Sequence, residues 1–133
     1  MRVFVYYDVS GSIPTKLLNE MFFEAEWRRS CMEYDEWKEF TFDSRVLTFD
    51  EYLDGPYQGG GGTDSMAVYK HWCENSNSDD AFLLLTDGCM APMPLIPGGG
   101  PAAFVIVGEF TFGTTSPLRP GCESEDLAGI SDE

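Results

Sequence analysis

Two apolar runs of strand length, each followed by an aspartate, constrain most strongly how this chain can fold. Residues 3–7 read Val-Phe-Val-Tyr-Tyr and precede Asp8, and residues 81–85 read Ala-Phe-Leu-Leu-Leu and precede Thr86 and Asp87. Continuous apolar runs of this length are typical of parallel strands that are covered on both faces. We therefore expect an α/β protein with polar groups at the carboxyl ends of buried strands.

The intervening segments predict the other elements. We predict strands at residues 2–7, 39–43, 46–49, 81–85 and 103–107, helices at residues 15–34 and 65–74, and a loop over residues 50–62. The strands at 39–43 and 46–49 are too close in sequence for a crossover helix, so they must pair antiparallel. The pattern therefore favours a mostly parallel sheet with one antiparallel edge strand and helices packed against it.

Helical spacing indicates which side chains of the two predicted helices face the sheet. In the first helix the inward positions are Leu18, Met21, Phe22, Ala25 and Met32, and in the second they are Met66, Tyr69, Trp72 and Cys73. Phe23 and Trp27 are expected to widen the apolar stripe of the first helix. Glu24 and Arg28, four residues apart, are expected to pair on its exposed side.

Composition limits the classes of protein that this chain can represent. It has 133 residues, a single-domain length, and a formal net charge of −15. Such acidity argues against binding nucleic acid through its phosphates, which requires clustered Lys and Arg. No apolar run reaches the length of a membrane span, and a strand begins at the first residues instead of a signal peptide. We therefore expect a cytoplasmic protein that contacts neither nucleic acid nor membrane.

Composition also predicts the domain organisation and the state of the cysteines. We expect one domain over residues 1–112 and a flexible acidic tail over residues 113–133, where Pro, Gly, Ser and acids dominate. The cysteines are scattered along the chain, at Cys31, Cys73, Cys89 and Cys122. Because we expect no secretory signal, we predict free thiols in a reducing compartment rather than disulfides. The absence of a Cys-x-x-Cys pair argues against a zinc site.

The segment Asp8-Val9-Ser10-Gly11-Ser12 lies on the predicted turn between the first strand and the first helix. In open α/β sheets, ligands bind at the carboxyl ends of the strands. The side chains of Asp8, Ser10 and Ser12 offer only oxygen donors, which suit Mg²⁺, Mn²⁺ or Ca²⁺ better than zinc or copper. The same residues are also ordinary turn formers, so this segment alone leaves both interpretations open.

Two later segments strengthen the metal-site interpretation. Residues 59–62 are four glycines that precede Thr63 and Asp64, and Thr86 and Asp87 end a predicted strand. Asp-x-Ser-x-Ser, then Thr, then Asp, each at a strand end, resembles the metal-ion-dependent adhesion site of the von Willebrand factor type A family. The resemblance covers roughly residues 1–110 and is strongest to the short, stand-alone bacterial and phage variants.

The resemblance implies a fold, a metal site and a mode of action. The implied fold is a Rossmann-like, doubly wound sheet with helices on both faces, truncated at the C-terminus. The implied metal ligands are Asp8, Ser10, Ser12, Thr63 and Asp87. Asp64 is an extra acid beside Thr63, and we expect it either to support these ligands from behind or to bond the loop backbone. The implied cofactor is Mg²⁺ or Mn²⁺, with Ca²⁺ also compatible with oxygen ligands.

The resemblance further implies a non-enzymatic, metal-dependent protein-binding module in a bacterium or a phage-infected host. A partner protein would present an Asp or Glu to the open coordination position of the metal. In this family small members often act as adaptors of a MoxR-type AAA+ ATPase. The loop over residues 89–101 is expected to contact the partner through apolar side chains, namely Met90, Met93, Leu95 and Ile96. The sheet flank that lacks a final helix is the alternative docking face.

Two other functions remain compatible with the sequence. A magnesium-dependent hydrolase would use a metal-bound water to attack a phosphate ester, and Arg2 and Arg45 are the nearest cations in sequence to hold the phosphate. A structural component with a vestigial metal site would keep the motif without binding an ion.

Overall fold

A mostly parallel sheet organises the part of the chain that the computed structural model describes, which is residues 1–11, 13–54, 62–88 and 100–107. In these residues the strands are β1 (Arg2–Asp8), β2 (Glu36–Phe42), β3 (Val46–Thr48), β4 (Ala81–Thr86) and β5 (Ala102–Ile106). They form one five-stranded sheet in the order β3-β2-β1-β4-β5. Only β3 runs antiparallel, against β2, and the other neighbours are parallel. The predicted fold class is confirmed.

Side chains of the central strand β1 alternate between two core clusters, as the two-residue period of a strand requires. Val3, Val5 and Tyr7 belong to the cluster beneath helix α1 (Thr15–Cys31). Phe4 and Tyr6 belong to the opposite cluster, which includes buried residues of helix α3 (Ser65–Asn75). The sheet therefore has helices on both faces, as a doubly wound fold requires.

The residues at the centre of the inner face of α1 were predicted correctly, but those at the edges of that face were not. Met21 and Ala25 are buried, and the other predicted inward residues pack against the same cluster. Phe23 is 83% exposed and Trp27 54% exposed, so they do not widen the buried stripe. Arg28 Nε does pair with Glu24 Oε2 at 2.9 Å, but Arg28 is only 3% exposed, so this pair is not on the exposed side.

The inner face of α3 differs in part from the prediction. Val68 and Trp72 are buried and Tyr69 is partly buried, whereas Met66 and Cys73 are exposed. At roughly 100° per residue, Met66 and Cys73 lie on the side of the helix opposite Val68. The edge-to-face contact between Trp72 and a core phenylalanine, with centroids 5.3 Å apart, fixes the rotation of the helix.

A short helix, α2 (Phe49–Asp54), occupies residues that were predicted to form a loop. The amide of Glu51 donates to Thr48 Oγ1 at 3.1 Å, and the amide of Thr48 donates to Glu51 Oε1 at 2.8 Å. This reciprocal pair is a capping box, which satisfies amide donors at the start of a helix. The Phe49 ring also lies 5.7 Å from Tyr7 and 5.5 Å from Phe22, so α2 is packed beside α1.

Within the described residues, no helix has both the length and the apolar character needed to cross a membrane.

Candidate metal centre

The carboxyl ends of β1 and β4 bring together residues from two of the predicted motif segments. Asp8 is the last residue of β1, and the register pairs Tyr7 with Leu85 of β4. The Thr86 hydroxyl donates to Asp8 Oδ2 at 2.6 Å, and the charge of Asp87 is close enough to raise the pKa of Asp8. Two acids far apart in sequence are therefore neighbours at this edge of the sheet.

Asp8 is a completely buried carboxyl group. Its burial is the main cause that raises its pKa above the ordinary value of 3.8. Hydrogen bonds from Ser10 and Thr86 lower the pKa, and the charge of Asp87 raises it further. The net rise means that these hydrogen bonds only partly offset the cost of burying the charge. A cation at this position would stabilise the ionised carboxylate.

The turn after β1 places Ser10 against Asp8. The Ser10 amide donates to Asp8 Oδ1 at 3.0 Å, and the Ser10 carbonyl accepts from the Ile13 amide at 3.1 Å. The Val9 amide donates to the Phe42 carbonyl at 2.9 Å, which extends the β1–β2 pairing into the turn. Ser10 is 3% exposed, so its side chain is buried. Ser12, the third predicted ligand of this segment, lies outside the described residues.

Thr63 and Asp64 lie beside the carboxyl end of β2. The Asp64 amide donates to the carbonyl of Asp43, the residue after β2, at 2.8 Å. Asp64 Oδ1 accepts from the Met66 amide at 3.0 Å, so its side chain caps α3. Its side chain therefore bonds the backbone of the first turn of α3, and both roles predicted for it, behind the metal ligands or on the loop backbone, stay predictions. Thr63 is partly buried directly before that cap.

Two polar residues at this edge were not singled out from the sequence. Thr86 is fully buried, and its hydroxyl contacts both Asp8 and the Gly88 amide, which donates to it at 3.2 Å. Asp43 is 1% exposed and accepts from the Arg45 amide at 3.2 Å. Both residues lie at the carboxyl end of a parallel strand. That position in the sequence could have identified them as candidate site residues.

The donors at this edge suit a hard cation. The described members of the predicted set are Asp8, Ser10, Thr63 and Asp87, and all of them offer oxygen. Within the described ranges, no group of three or more His, Cys, Asp or Glu side chains is arranged to hold a metal. The predicted set contains only two carboxylates and otherwise hydroxyls, so it does not require such a group. The hydrogen bonds of Asp8 only partly offset the cost of burying its charge, and this is the feature that fits a bound cation.

A cavity of about 210 Å³ adjoins this edge of the sheet. It lies between the turn after β1, the first turns of α1 and the helix α2. Its described lining residues are Val9, Ser10, Gly11, Ile13, Thr15, Leu18 and Tyr52. Ser10 therefore contributes both to the predicted ligand set and to the wall of the cavity.

Other predicted residues lie elsewhere or outside the described part of the chain. The apolar loop residues Met90, Met93, Leu95 and Ile96 are outside it, as are the predicted tail and the border at residue 112. Arg2 lies at the opposite, amino end of β1, where its guanidinium pairs with Asp80 at 2.7 Å. Among the described cysteines, Cys31 and Cys73 are free thiols, as predicted.

Comparisons with known proteins bear on the fold. No protein-family model matches this chain, and no curated protein sequence matches it. The chain is similar to the crystal structure of an aerotolerance-related membrane protein from Bacteroides fragilis that carries multiple mutations to serines. The match has 14% sequence identity and a TM-score of 0.55, and it covers 97% of this chain and 87% of that chain. At this identity the likeness concerns the fold alone.

Proposed function

We propose that this chain is a von Willebrand factor type A-like domain that binds a protein partner through a metal ion. One observation carries the proposal: the buried Asp8 carboxylate contacts Ser10 and Thr86 and lies within electrostatic reach of Asp87. In the order β3-β2-β1-β4-β5, the direction of winding reverses between β1 and β4. Ligands of doubly wound sheets bind at the carboxyl edge of such a reversal.

The residues that would hold the ion are Asp8, Ser10, Ser12, Thr63 and Asp87, and the ion would be Mg²⁺, Mn²⁺ or Ca²⁺. Asp8 would act from its buried position, where Thr86 and Ser10 fix the direction of its oxygens. Thr63 would approach from the side of β2, where Asp64 holds the loop by capping α3. When bound, the ion supplies a positive charge with a free coordination position for an oxygen ligand.

The partner would present an Asp or Glu side chain to that position. A chain with a formal net charge of −15 repels an acidic partner, so the ion is needed to reverse the local charge. Residues 89–101, including Met90, Met93, Leu95 and Ile96, follow β4 closely in sequence and would add apolar area around the ionic contact. An adaptor role beside an AAA+ ATPase of the MoxR type is the most specific form of this proposal.

A pulldown with and without a chelator tests this function. The bait is the full chain in millimolar Mg²⁺ or in EDTA, and Asp87→Asn and Asp79→Asn are compared with the natural sequence. Asp79 is exposed in the turn before β4, at the opposite end of the strand, so its variant controls for the loss of one charge. We expect a partner that is captured only with Mg²⁺ and is lost in Asp87→Asn but retained in Asp79→Asn.

Two results would contradict the proposal. Capture of the same partner in EDTA would show that binding does not depend on a metal. Hydrolysis of a phosphate monoester that requires Mg²⁺ and is lost in Asp87→Asn would favour the hydrolase alternative.

A further inference from the structure

A groove of about 280 Å³ lies between the C-terminal half of α1 and the amino ends of the parallel strands, and we call it the flank groove. Val3 and Ala81 line it from the sheet, where the register pairs them, and Trp27 and Cys31 line it from α1. Along β1, the distance from Val3 to Asp8 is roughly 16 Å. The flank groove is therefore separate from the proposed metal site.

The lining of the flank groove is apolar. Of the lining residues that the structure describes, Arg28 alone is charged, and its Nε pairs with Glu24 Oε2 at 2.9 Å. The others include Met32, Leu83 and Pro101. Because an apolar cavity of roughly 150 Å³ can hold benzene, this groove has room for one aromatic or long aliphatic side chain. Burial of such a side chain would favour binding.

Two exposed aromatic side chains continue the apolar surface out of the flank groove. Phe23 and Trp27 are the large apolar residues of α1 that are exposed. They are four residues apart, so they are neighbours on the surface of the helix, and Trp27 is also a wall of the groove. Scattered exposed apolar residues are ordinary, but a continuous apolar surface that includes a groove is typical of a binding site.

The charges around this surface favour a basic partner. Glu20 and Glu26 are exposed on α1, three residues before and three residues after Phe23. Arg28 pairs within the helix, and Arg29 lies against two aromatic rings. The whole chain has a formal net charge of −15. A second copy or an acidic protein would therefore be repelled, whereas a basic segment would be attracted.

We propose that the flank groove and Phe23 form a second protein-binding surface, whose partner is a basic amphipathic helix. One apolar side chain of that helix enters the groove, and its apolar neighbours pack on Trp27 and Phe23. Lys or Arg side chains beside them meet Glu20 and Glu26. No metal ion takes part, so this surface is independent of the proposed function and can be occupied at the same time.

Synthetic peptides of leucine and lysine test the proposal in EDTA. The first has about 18 residues, with its leucines on one helical face, and the second has the same composition in scrambled order. The scrambled peptide is needed because a strongly acidic protein attracts any polycation. We expect the amphipathic peptide to bind at least about tenfold more tightly by calorimetry. A peptide with the same pattern of leucine and glutamate should not bind.

Matched variants locate the binding surface. Trp27→Ser removes a wall of the flank groove, and Met66→Ser removes an exposed apolar side chain from α3, on the other side of the sheet. Trp27→Ser should weaken binding of the amphipathic peptide at least about tenfold, and Met66→Ser should leave it unchanged. Glu20→Gln should weaken it more than Glu74→Gln on α3 does, and this difference should shrink at high salt.

The thiols of Cys31 and Cys73 report occupancy directly. Both are free and exposed, but Cys31 lines the flank groove and Cys73 lies on α3. Their rates of alkylation by iodoacetamide are measured by mass spectrometry of the digested protein. The amphipathic peptide should slow the alkylation of Cys31 and leave that of Cys73 unchanged.

Several outcomes would overturn the proposal. Equal protection of both thiols, or equal losses in Trp27→Ser and Met66→Ser, would show that the peptide binds the acidic surface generally. Binding of the leucine and glutamate peptide would refute a basic partner. Protection of Cys31 that increases with protein concentration without any peptide would assign the groove to a second copy instead. Because every measurement is made in EDTA, these failures would leave the proposed metal site untouched.

Discussion

The Thr86 hydroxyl donates a hydrogen bond of 2.6 Å to Asp8 Oδ2, and both side chains are completely buried. The bond joins the carboxyl ends of two adjacent parallel strands, β1 and β4. It also fixes one oxygen of the carboxylate on which the proposed metal site depends. Thr86 is therefore a positioning residue for Asp8.

Replacing Thr86 by valine should lower the free energy of unfolding by about 1.5–3 kcal/mol, because a hydrogen bond to a charged group is lost inside the protein. Urea unfolding in EDTA measures this cost. In an Asp8→Asn background the same replacement should cost about 1 kcal/mol, the value of a neutral hydrogen bond. An equal cost in both backgrounds would show that Thr86 stabilises the fold independently of the Asp8 charge.

The two adjacent phenylalanines of α1 should differ strongly in their effect on stability. Phe22 packs edge to face with Tyr7 at 4.9 Å, so Phe22→Ala should cost about 2 kcal/mol or more. Phe23 is 83% exposed, so Phe23→Ala should change stability by no more than about 0.5 kcal/mol. Chemical unfolding of the two variants measures both. Similar losses for both would mean that Phe23 is covered in solution.

Stability should depend on pH through His71. Its Nδ1 lies 2.8 Å from Tyr6 Oη, and its ring centroid lies 4.5 Å from that of Phe40. Burial lowers the pKa of His71 below its ordinary value of 6.5. The charge of Glu74 raises this pKa, and the charge of Lys38 lowers it further. The unfolded chain therefore takes up a proton at a higher pH than the folded chain does. Stability should be complete above about pH 6.5 and fall as pH decreases through the lower, folded pKa.

The matched variant for this prediction is His71→Phe, which keeps a ring in the aromatic cluster and removes the titrating group. Unfolding free energies measured between pH 7.5 and 5 should decline for the natural sequence and stay flatter for His71→Phe. Parallel declines would assign the pH dependence to other groups.

The sheet was predictable because its central strands are each marked by their own continuous run of apolar residues. The apolar runs that became β1 and β4 needed no information from the rest of the chain. The helix α2 was missed because six residues form a helix only with a cap and a packing partner, which Thr48 and Phe49 provide. The Thr48–Glu51 spacing was visible in the sequence, but the contact of Phe49 with Tyr7 was not.

The candidate site was predictable in part for a similar reason. Asp8 and Asp87 follow apolar runs, so their position at strand ends can be inferred from the sequence. The contact of Thr86 with Asp8 depends on the register between β1 and β4, which no local pattern specifies. The same holds for Arg28, whose burial depends on what packs around the C-terminal half of α1.

Metal removal should lower the thermal stability of the fold. Asp8 and Asp87 repel each other, and an ion between them would add stability as its concentration exceeds its dissociation constant. At a hundredfold excess the gain is about 2.7 kcal/mol, which raises the melting temperature by several degrees. We expect this difference between millimolar Mg²⁺ and EDTA, and we expect no specific effect of Zn²⁺. Identical melting curves would count against an ion at the site.

Titration of Mn²⁺ into ¹⁵N-labelled protein, followed by the broadening of amide signals, tests the metal site most directly. We predict that one equivalent broadens the amides of Ser10, Thr63 and Asp87 and leaves those of Arg2 and Asp80, at the opposite end of the sheet, unaffected. The broadening should be absent in Asp87→Asn and present in Asp79→Asn. Uniform broadening over the acidic surface, or none at these three amides, would contradict a metal centre at the carboxyl edge of the sheet.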